Sequence, residues 1–160
     1  MLVLLEGLVM SFWLLLICVV GIANDPVDMV VFYEQDVKDR VVALGLTTKE
    51  KIKKTTLATS IALFILVLHV VPWFVYGVNH VTGTMEAIKQ MIEIYLIMGL
   101  FDRVFIDWYW VGHTKAWIIP GTEDLRPYIP AKALAGKWLG TIVGFPMLAC
   151  IIGWIVHMIH

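Results

Sequence analysis

Six charged side chains lie in a predominantly apolar stretch of sequence that is long enough to cross a bilayer. The stretch runs from Thr84 to His113, and its charges are Glu86, Lys89, Glu93, Asp102, Arg103 and Asp107. The hydrocarbon core of a bilayer takes about 20 helical residues, and a charge inside it is costly unless it is paired or faces the protein interior. The stretch therefore predicts a polar site that the other apolar segments shelter from lipid.

Winding this stretch as an α-helix separates its polar groups into two clusters. At about 100° per residue, one arc of roughly 140° holds Glu86, Lys89, Gln90, Glu93, Arg103 and Asp107. Asp102 points the other way on the same projection. Lys89 with Glu93, and Arg103 with Asp107, are spaced i,i+4, at which an acid and a base can meet. An apolar band separates the two pairs, so the pattern predicts an outer and an inner cluster rather than one polar groove.

The outer cluster suggests a transporter or channel component for a small solute or cation, with a proton- or cation-binding site. Antiparallel threading matches the depth of His69 with Glu93 and of Glu6 with Lys89. The predicted ligand- or ion-binding residues are therefore Glu93, His69, Lys89, Glu6 and Glu86. In the alternative interpretation, these groups form an ion-pair network that only specifies how the helices pack.

The inner cluster suggests instead a membrane enzyme whose site lies at the cytoplasmic face. Its residues are Asp102, Arg103, Asp107 and His113. They combine acid/base groups with a guanidinium that can bind anions. No spacing in the sequence matches a metal-binding histidine pair, a CxxC motif, a nucleophile elbow or a phosphate-binding loop. The sequence therefore predicts no metal and no cofactor, and it leaves open whether the chain is an enzyme.

The composition places the chain in the lipid bilayer. Its 160 residues are 60% hydrophobic, whereas soluble domains are about 45–50% apolar. This length allows one domain, residues 1–160, with about four spans. Nucleic-acid binding has no support, because the basic residues are interleaved with acids beside a membrane segment.

The predicted fold is an all-α membrane protein, a bundle of four transmembrane helices at about residues 2–23, 57–78, 87–111 and 134–159. A cytoplasmic amphipathic helix at about residues 26–44 follows the first span, with Asp25 as its N-cap, Pro26 at its first position and Gly45 at its end. Thr47 and Glu50 have the spacing of a capping box that starts the helix leading into the second span. Pro72 is expected to kink that span near His69.

The loop between the third and fourth spans is predicted to form an ordered cap at the membrane surface. Its prolines forbid a regular helix, and Pro120-Gly121 suits a type II turn. Aromatic side chains in and before the loop are expected at the depth of the lipid headgroups; they are Trp108, Tyr109, Trp110 and Trp117.

Three glycines at intervals of four mark the fourth span. Gly136, Gly140 and Gly144 form a small-xxx-small stripe, which allows close helix contact within the bundle or in a homo-oligomer. With the amphipathic helix, this stripe supports a third hypothesis, a non-catalytic membrane subunit or interaction protein. The two cysteines, Cys18 and Cys150, are expected to stay unpaired because antiparallel threading places them at opposite membrane faces.

The distribution of positive charge predicts the topology. Six Lys and Arg residues lie between the first two spans, none between the second and third, and three or four between the third and fourth. The positive-inside rule then makes this a multi-pass protein with loops 24–56 and 112–136 in the cytoplasm and both termini outside.

Overall fold

The computed structural model describes residues 1–159, which are 81% helical and contain no β-strand. The long helices are α1 (Leu2–Ile22), α3 (Lys49–Val78), α4 and α5 (Ala131–Ile159). Helix α4 consists of an α-helical part, Thr84–Phe101, and a π-helical part, Asp102–Val111. Shorter elements are a 3₁₀-helix at Pro26–Phe32, helix α2 at Gln35–Ala43 and a 3₁₀ turn at Glu123–Leu125. The all-helical prediction is confirmed.

Three helices in residues 1–159 are long and apolar enough to cross a membrane. They are α1, α3 and α5, with 21, 30 and 29 residues. Helix α4 is not among them because charged residues interrupt its apolar sequence. Length and composition alone therefore support a membrane location through three helices, and the role of α4 has to be judged from its packing.

Helix α4 lies at the centre of the bundle. Its Ala87, Met91, Ile94 and Tyr95 are completely buried, and it packs against α1 on one side and α5 on another. The tight contacts use glycines that the sequence pattern did not single out. A Cβ atom at Gly99 of α4 would lie 2.6 Å from the Cγ2 atom of Thr141 in α5. This close approach holds α4 against α5 midway along both helices.

The glycine stripe of α5 takes no part in this packing. Gly136, Gly140 and Gly144 are exposed, and a Cβ atom added at any of them would meet nothing within 4 Å. Contact within the bundle is therefore excluded for these three residues, and a homo-oligomer through them stays a prediction. Cys18 and Cys150 are both free thiols, as predicted.

The predicted surface helix at residues 26–44 is divided in two, so the prediction of one continuous helix is wrong. Asp25 does cap the first piece, since its Oδ1 accepts from the Val27 amide at 2.8 Å. Tyr33 and Glu34 then adopt extended backbone. This break turns the Tyr33 ring into the core, where it stacks on Tyr128 with ring centroids 4.6 Å apart. Gly45, with a φ of +71°, ends the second piece as predicted.

Helix α3 starts one residue later than predicted and then runs without a break to Val78. Thr48, not Thr47, is its N-cap, and the Thr48 Oγ1 accepts from the Lys51 amide at 3.1 Å. Around Pro72 the helix takes π-helical geometry, over Leu66–Val70 and Trp73–Val78. A π-helix pairs each carbonyl with the amide five residues later, and for the Val67 carbonyl that residue is Pro72, which has no N–H. The Tyr95 hydroxyl of α4 donates to this carbonyl at 2.6 Å.

The segment between α4 and α5 folds into an ordered cap over one end of the bundle, as predicted. The Thr122 amide donates to the Ile119 carbonyl at 3.1 Å and closes a turn in which Gly121 has a φ of +84°. Trp117 is buried beneath this cap rather than at the surface. The end of the bundle that carries the cap is called the inner end here, and the opposite end, with Glu6 and the Asn79 turn, is called the outer end.

Candidate functional site

The charged residues of the inner end form one ion-pair cluster. Arg103 forms ion pairs with Asp102 and, one helical turn later, with Asp107. Lys137 of α5 donates from its Nζ to the Asp107 Oδ1 at 2.9 Å. The Arg103–Asp107 pairing expected from their i,i+4 spacing is therefore present. These four residues, Asp102, Arg103, Asp107 and Lys137, are called the inner cluster below.

Asp102 does not point away from its neighbours, as the helical projection predicted. The guanidinium of the neighbouring Arg103 reaches the Asp102 carboxylate. Both residues line the same cavity. The placement of Asp102 on the opposite face is corrected on this ground.

The inner cluster is electrically balanced, and its central pair, Arg103 and Asp107, is buried, whereas Asp102 and Lys137 are half-buried. Arg103 is 8% exposed and Asp107 is 7% exposed. Two carboxylates face two cations, so the formal charges of Asp102, Arg103, Asp107 and Lys137 cancel. Within residues 1–159 the Arg103 Nε–H has no hydrogen-bond acceptor. A buried donor left unsatisfied costs about 1–3 kcal/mol, which makes this position suited to a polar atom from outside the protein.

A cavity of about 340 Å³ lies next to this cluster, between the four long helices at the inner end of the bundle. Each long helix contributes apolar side chains to its wall, among them Cys18, Leu66, Met98 and Phe145. At the inner end it is closed by Tyr33, from the segment between α1 and α3, and by Trp117 and Ile129 of the cap. The inner cluster supplies its polar wall. The cavity is thus apolar on most sides and charged at one place.

Tyr33 and the cap hold each other in position over the cavity. The Tyr33 hydroxyl donates to the Trp117 carbonyl at 3.2 Å. The Tyr128 hydroxyl accepts from the Ile119 amide at 3.2 Å and lies 2.7 Å from the Thr122 hydroxyl. Burial, followed by the neighbouring Tyr128, raises the pKa of Tyr33. The tyrosine is therefore kept neutral, as a hydrogen-bond donor in a dry contact requires.

His113 lines a second, smaller cavity beside the first. This cavity has a volume of about 210 Å³ and includes Arg126 and Trp108 in its wall. His113 Nδ1 lies 2.6 Å from the Trp108 carbonyl, and no hydrogen bond joins His113 to the inner cluster in the described residues. Asp107 and Ile129 line both cavities. His113 is thus brought near Asp107 by a shared cavity rather than by a direct contact.

The predicted outer site is not assembled as expected. Glu93, His69 and Lys89 are all exposed, and none of them lines the 340 Å³ cavity. Within residues 1–159, no ion pair links Lys89 to Glu93 or to Glu6, and no hydrogen bond links His69 to Glu93. The Val67 carbonyl, which Pro72 leaves without a helical donor, accepts a hydrogen bond from Tyr95 and not from His69.

A different set of polar groups meets at the outer end. Asn79 Nδ2 donates to the Glu6 Oε2 at 3.1 Å and to the Gln90 Oε1 at 2.9 Å. Gln90 Nε2 in turn donates to the Glu86 Oε1 at 3.1 Å. Glu6 and Glu86 were predicted for this cluster, whereas Asn79 was missed. The sequence signal that could have indicated Asn79 is its position at the start of the turn between two spans.

Known proteins supply no further assignment for this site. Residues 1–159 contain no group of three or more His, Cys, Asp or Glu side chains placed to hold a metal ion. The chain matches no protein-family model, and neither the curated proteins nor the solved structures compared with it include a match. Residues 1–159 thus form an all-helical protein in which three helices are long and apolar enough to cross a membrane, with an apolar cavity beside a charge-balanced cluster.

Proposed function

We propose that this chain is a four-span membrane protein that binds a small amphiphilic molecule in the 340 Å³ cavity at its inner end. The single observation that carries the proposal is the cavity itself, which combines apolar walls from all four long helices with one buried polar group, the inner cluster. A volume of this size is in the range of small-molecule sites, about 300–1,000 Å³.

The packing of α4 supports its role as a span, which brings the number of spans to four. In its inner half the charged residues Arg103 and Asp107 face the protein, which is how intramembrane charges are accommodated. The exposed charges Lys89 and Glu93 lie in its outer half. With α4 as a span, both termini lie outside and the cap lies in the cytoplasm, as the positive charges predict. Single cysteines at Lys51 and Glu123, introduced after Cys18 and Cys150 are replaced by alanine, should react with an impermeant thiol reagent from the cytoplasmic side only. Labelling from outside would contradict this topology.

The inner cluster favours an uncharged polar head on the ligand. The cluster is already neutral, so a head that brought one more charge into this buried place would remain uncompensated. The Arg103 Nε–H is a donor without an acceptor in the described residues. A carbonyl, ether or hydroxyl oxygen would satisfy it, while the apolar tail fills the space beside Leu66, Met98 and Phe145.

Protection of Cys18 tests this proposal. The Cys18 thiol lines the cavity, and Cys150→Ala leaves it as the only cysteine. In lipid nanodiscs, monolaurin should slow modification of Cys18 by N-ethylmaleimide several-fold, as followed by mass spectrometry. Laurate and dodecyltrimethylammonium carry chains of matched length with charged heads, and they should protect less. Equal rates with and without monolaurin would contradict binding at this cavity.

The reciprocal variant, Cys18→Ala, is the matched control. Any slowing of Cys150 modification in that variant would reflect a general effect of the amphiphile on the bilayer, because Cys150 does not line the cavity. Transport, catalysis and a subunit role each stay predictions, since the cavity geometry speaks only to binding.

A further inference from the structure

We infer that the outer end contains a second site, which binds one small cation, a proton or an alkali metal ion, between Glu6 and Asn79. The site is separate from the amphiphile cavity, since neither residue lines it. Glu6 lies in the second turn of α1 and is 4% exposed. Its Oε2 accepts a hydrogen bond from Asn79 Nδ2 at 3.1 Å. A carboxyl group is thus held in a buried position with one of its two oxygens satisfied.

Two buried oxygen atoms at this point have no donor. Within residues 1–159, neither the Glu6 Oε1 nor the Asn79 Oδ1 has a hydrogen-bond partner. The nearby side-chain amides already donate elsewhere. Asn79 Nδ2 donates to Glu6 and Gln90, and Gln90 Nε2 donates to Glu86. Both free oxygens belong to side chains that one hydrogen bond holds together, so a single ligand can reach both.

The charge at this end also lacks a balance. Within the described chain, Glu6 forms no ion pair with any titratable group of this end. These groups are the Met1 amino group, His69, Tyr76, His80, Glu86, Lys89, Glu93 and His157. A buried, uncompensated carboxylate is unfavourable in a membrane protein. One bound positive charge removes this cost and gives the two orphaned acceptors a partner.

The two sources of that charge differ in what they require. A proton on Glu6 Oε1 supplies one O–H donor, which suffices for the Asn79 Oδ1 and completes an acid–amide pair. An alkali ion binds to the two oxygens directly and needs further oxygen ligands. Both satisfy the same atoms, so the experiment has to separate them.

Thermal unfolding in lipid nanodiscs separates them. One series varies Na⁺ against choline at constant ionic strength and pH, and the other varies pH at constant Na⁺. If the site binds Na⁺, the melting temperature rises with the Na⁺ concentration. If the site binds a proton, the melting temperature rises as the pH falls. Either rise should reach roughly 3–5 °C per tenfold change once the ligand exceeds its dissociation constant.

Glu6→Gln should abolish the response of the melting temperature to Na⁺ or to pH, because the glutamine amide is uncharged and supplies its own hydrogen-bond donor. Glu34→Gln, at an exposed carboxylate of the surface segment, should retain the full response. Asn79→Ala should reduce the response, because it removes one of the two acceptors. This variant tests the inference if Glu6→Gln fails to fold. The inference is overturned if wild type responds to neither ion, or if Glu6→Gln responds as wild type does.

Discussion

The two ends of the bundle both bury carboxyl groups, but they balance the charge in different ways. At the inner end Asp102 and Asp107 meet Arg103 and Lys137, so each anion has a cation from the protein. At the outer end Glu6 is held by an amide from Asn79, with no cation within ion-pair distance in the described residues. The inner cluster can therefore remain ionised without a ligand, whereas our inference is that Glu6 takes its positive charge from solution.

This difference assigns different tasks to the two ends. A balanced and rigid cluster is suited to orienting the polar head of an uncharged molecule beside an apolar cavity. An unbalanced carboxyl group is suited to gaining and losing a small cation.

Breaking the inner cluster should have the largest effect. Removing one partner of a buried ion pair typically costs about 3–5 kcal/mol, because the other charge is left buried and unpaired. Arg103→Met and Asp107→Leu should each lower the melting temperature strongly in nanodiscs, as measured by tryptophan fluorescence. The double variant should recover part of the loss, since the charges that it leaves without a partner, Asp102 and Lys137, are the less buried members of the cluster. A double variant as unstable as the worse single variant would argue against a balanced cluster.

Crowding the contact between α4 and α5, which lies midway between the two ends of the bundle, should lower the stability by an intermediate amount. Gly99→Ala places a Cβ atom 2.6 Å from the Thr141 Cγ2, and overpacking of this kind costs about 1–3 kcal/mol. Gly140→Ala on α5 is the matched control, because its Cβ meets nothing within 4 Å. We expect Gly140→Ala to melt at or above the wild-type temperature. Equal destabilisation by both changes would mean that the glycine stripe is packed after all, as in a homo-oligomer.

Loosening the cap should have a smaller effect that depends on pH. Tyr33→Phe removes a buried hydrogen bond to Trp117, which costs about 0.5–1.5 kcal/mol at neutral pH. The pKa of Tyr33 is raised from its ordinary 10.0 in the folded protein. Above about pH 10 the unfolded chain therefore loses this proton while the folded chain keeps it, and stability falls as pH rises.

Unfolding of wild type and Tyr33→Phe between pH 8 and pH 11 measures this contribution. The two stability curves should converge as the pH rises, because only wild type carries the Tyr33 proton. A constant gap across the range would show that Tyr33 has no part in the alkaline loss of stability.

Changing Lys89 should have the smallest effect. Its side chain is exposed and forms no ion pair within residues 1–159, and surface substitutions away from special features usually change stability little. Lys89→Met should leave the melting temperature unchanged and should not alter the cation response assigned to Glu6. A marked fall in the melting temperature or in the cation response would instead support the predicted network in which Lys89 balances the outer carboxylates.

The sequence predicted well whatever depended on local pattern. The four long helices, the Asp25 cap, the turn at Pro120-Gly121 and the pairing of Arg103 with Asp107 all follow from spacing or turn chemistry. The errors arose where tertiary contacts override that pattern. Tyr33 breaks the surface helix because its ring packs on Tyr128, and such a distant contact leaves no periodic signal.

The candidate site was predicted only in part for a related reason. The inner charges could be seen in the sequence, but the apolar cavity beside them is built from four helices and a cap, and no local motif marks it. The outer site was expected at Glu93 and His69 from matched depth alone. Depth does not fix the rotation of a helix, and in the structure both side chains face outward while Asn79 reaches Glu6.

The most direct test of the account is whether the inner cavity holds an amphiphile. Native mass spectrometry of the protein released from nanodiscs with monolaurin should show one bound molecule on wild type. Cys18→Phe fills part of the cavity and should lose that adduct, whereas Cys150→Phe, the same change outside the cavity wall, should keep it. An adduct of equal occupancy on Cys18→Phe and wild type, or none on any of the three proteins, would contradict the proposal.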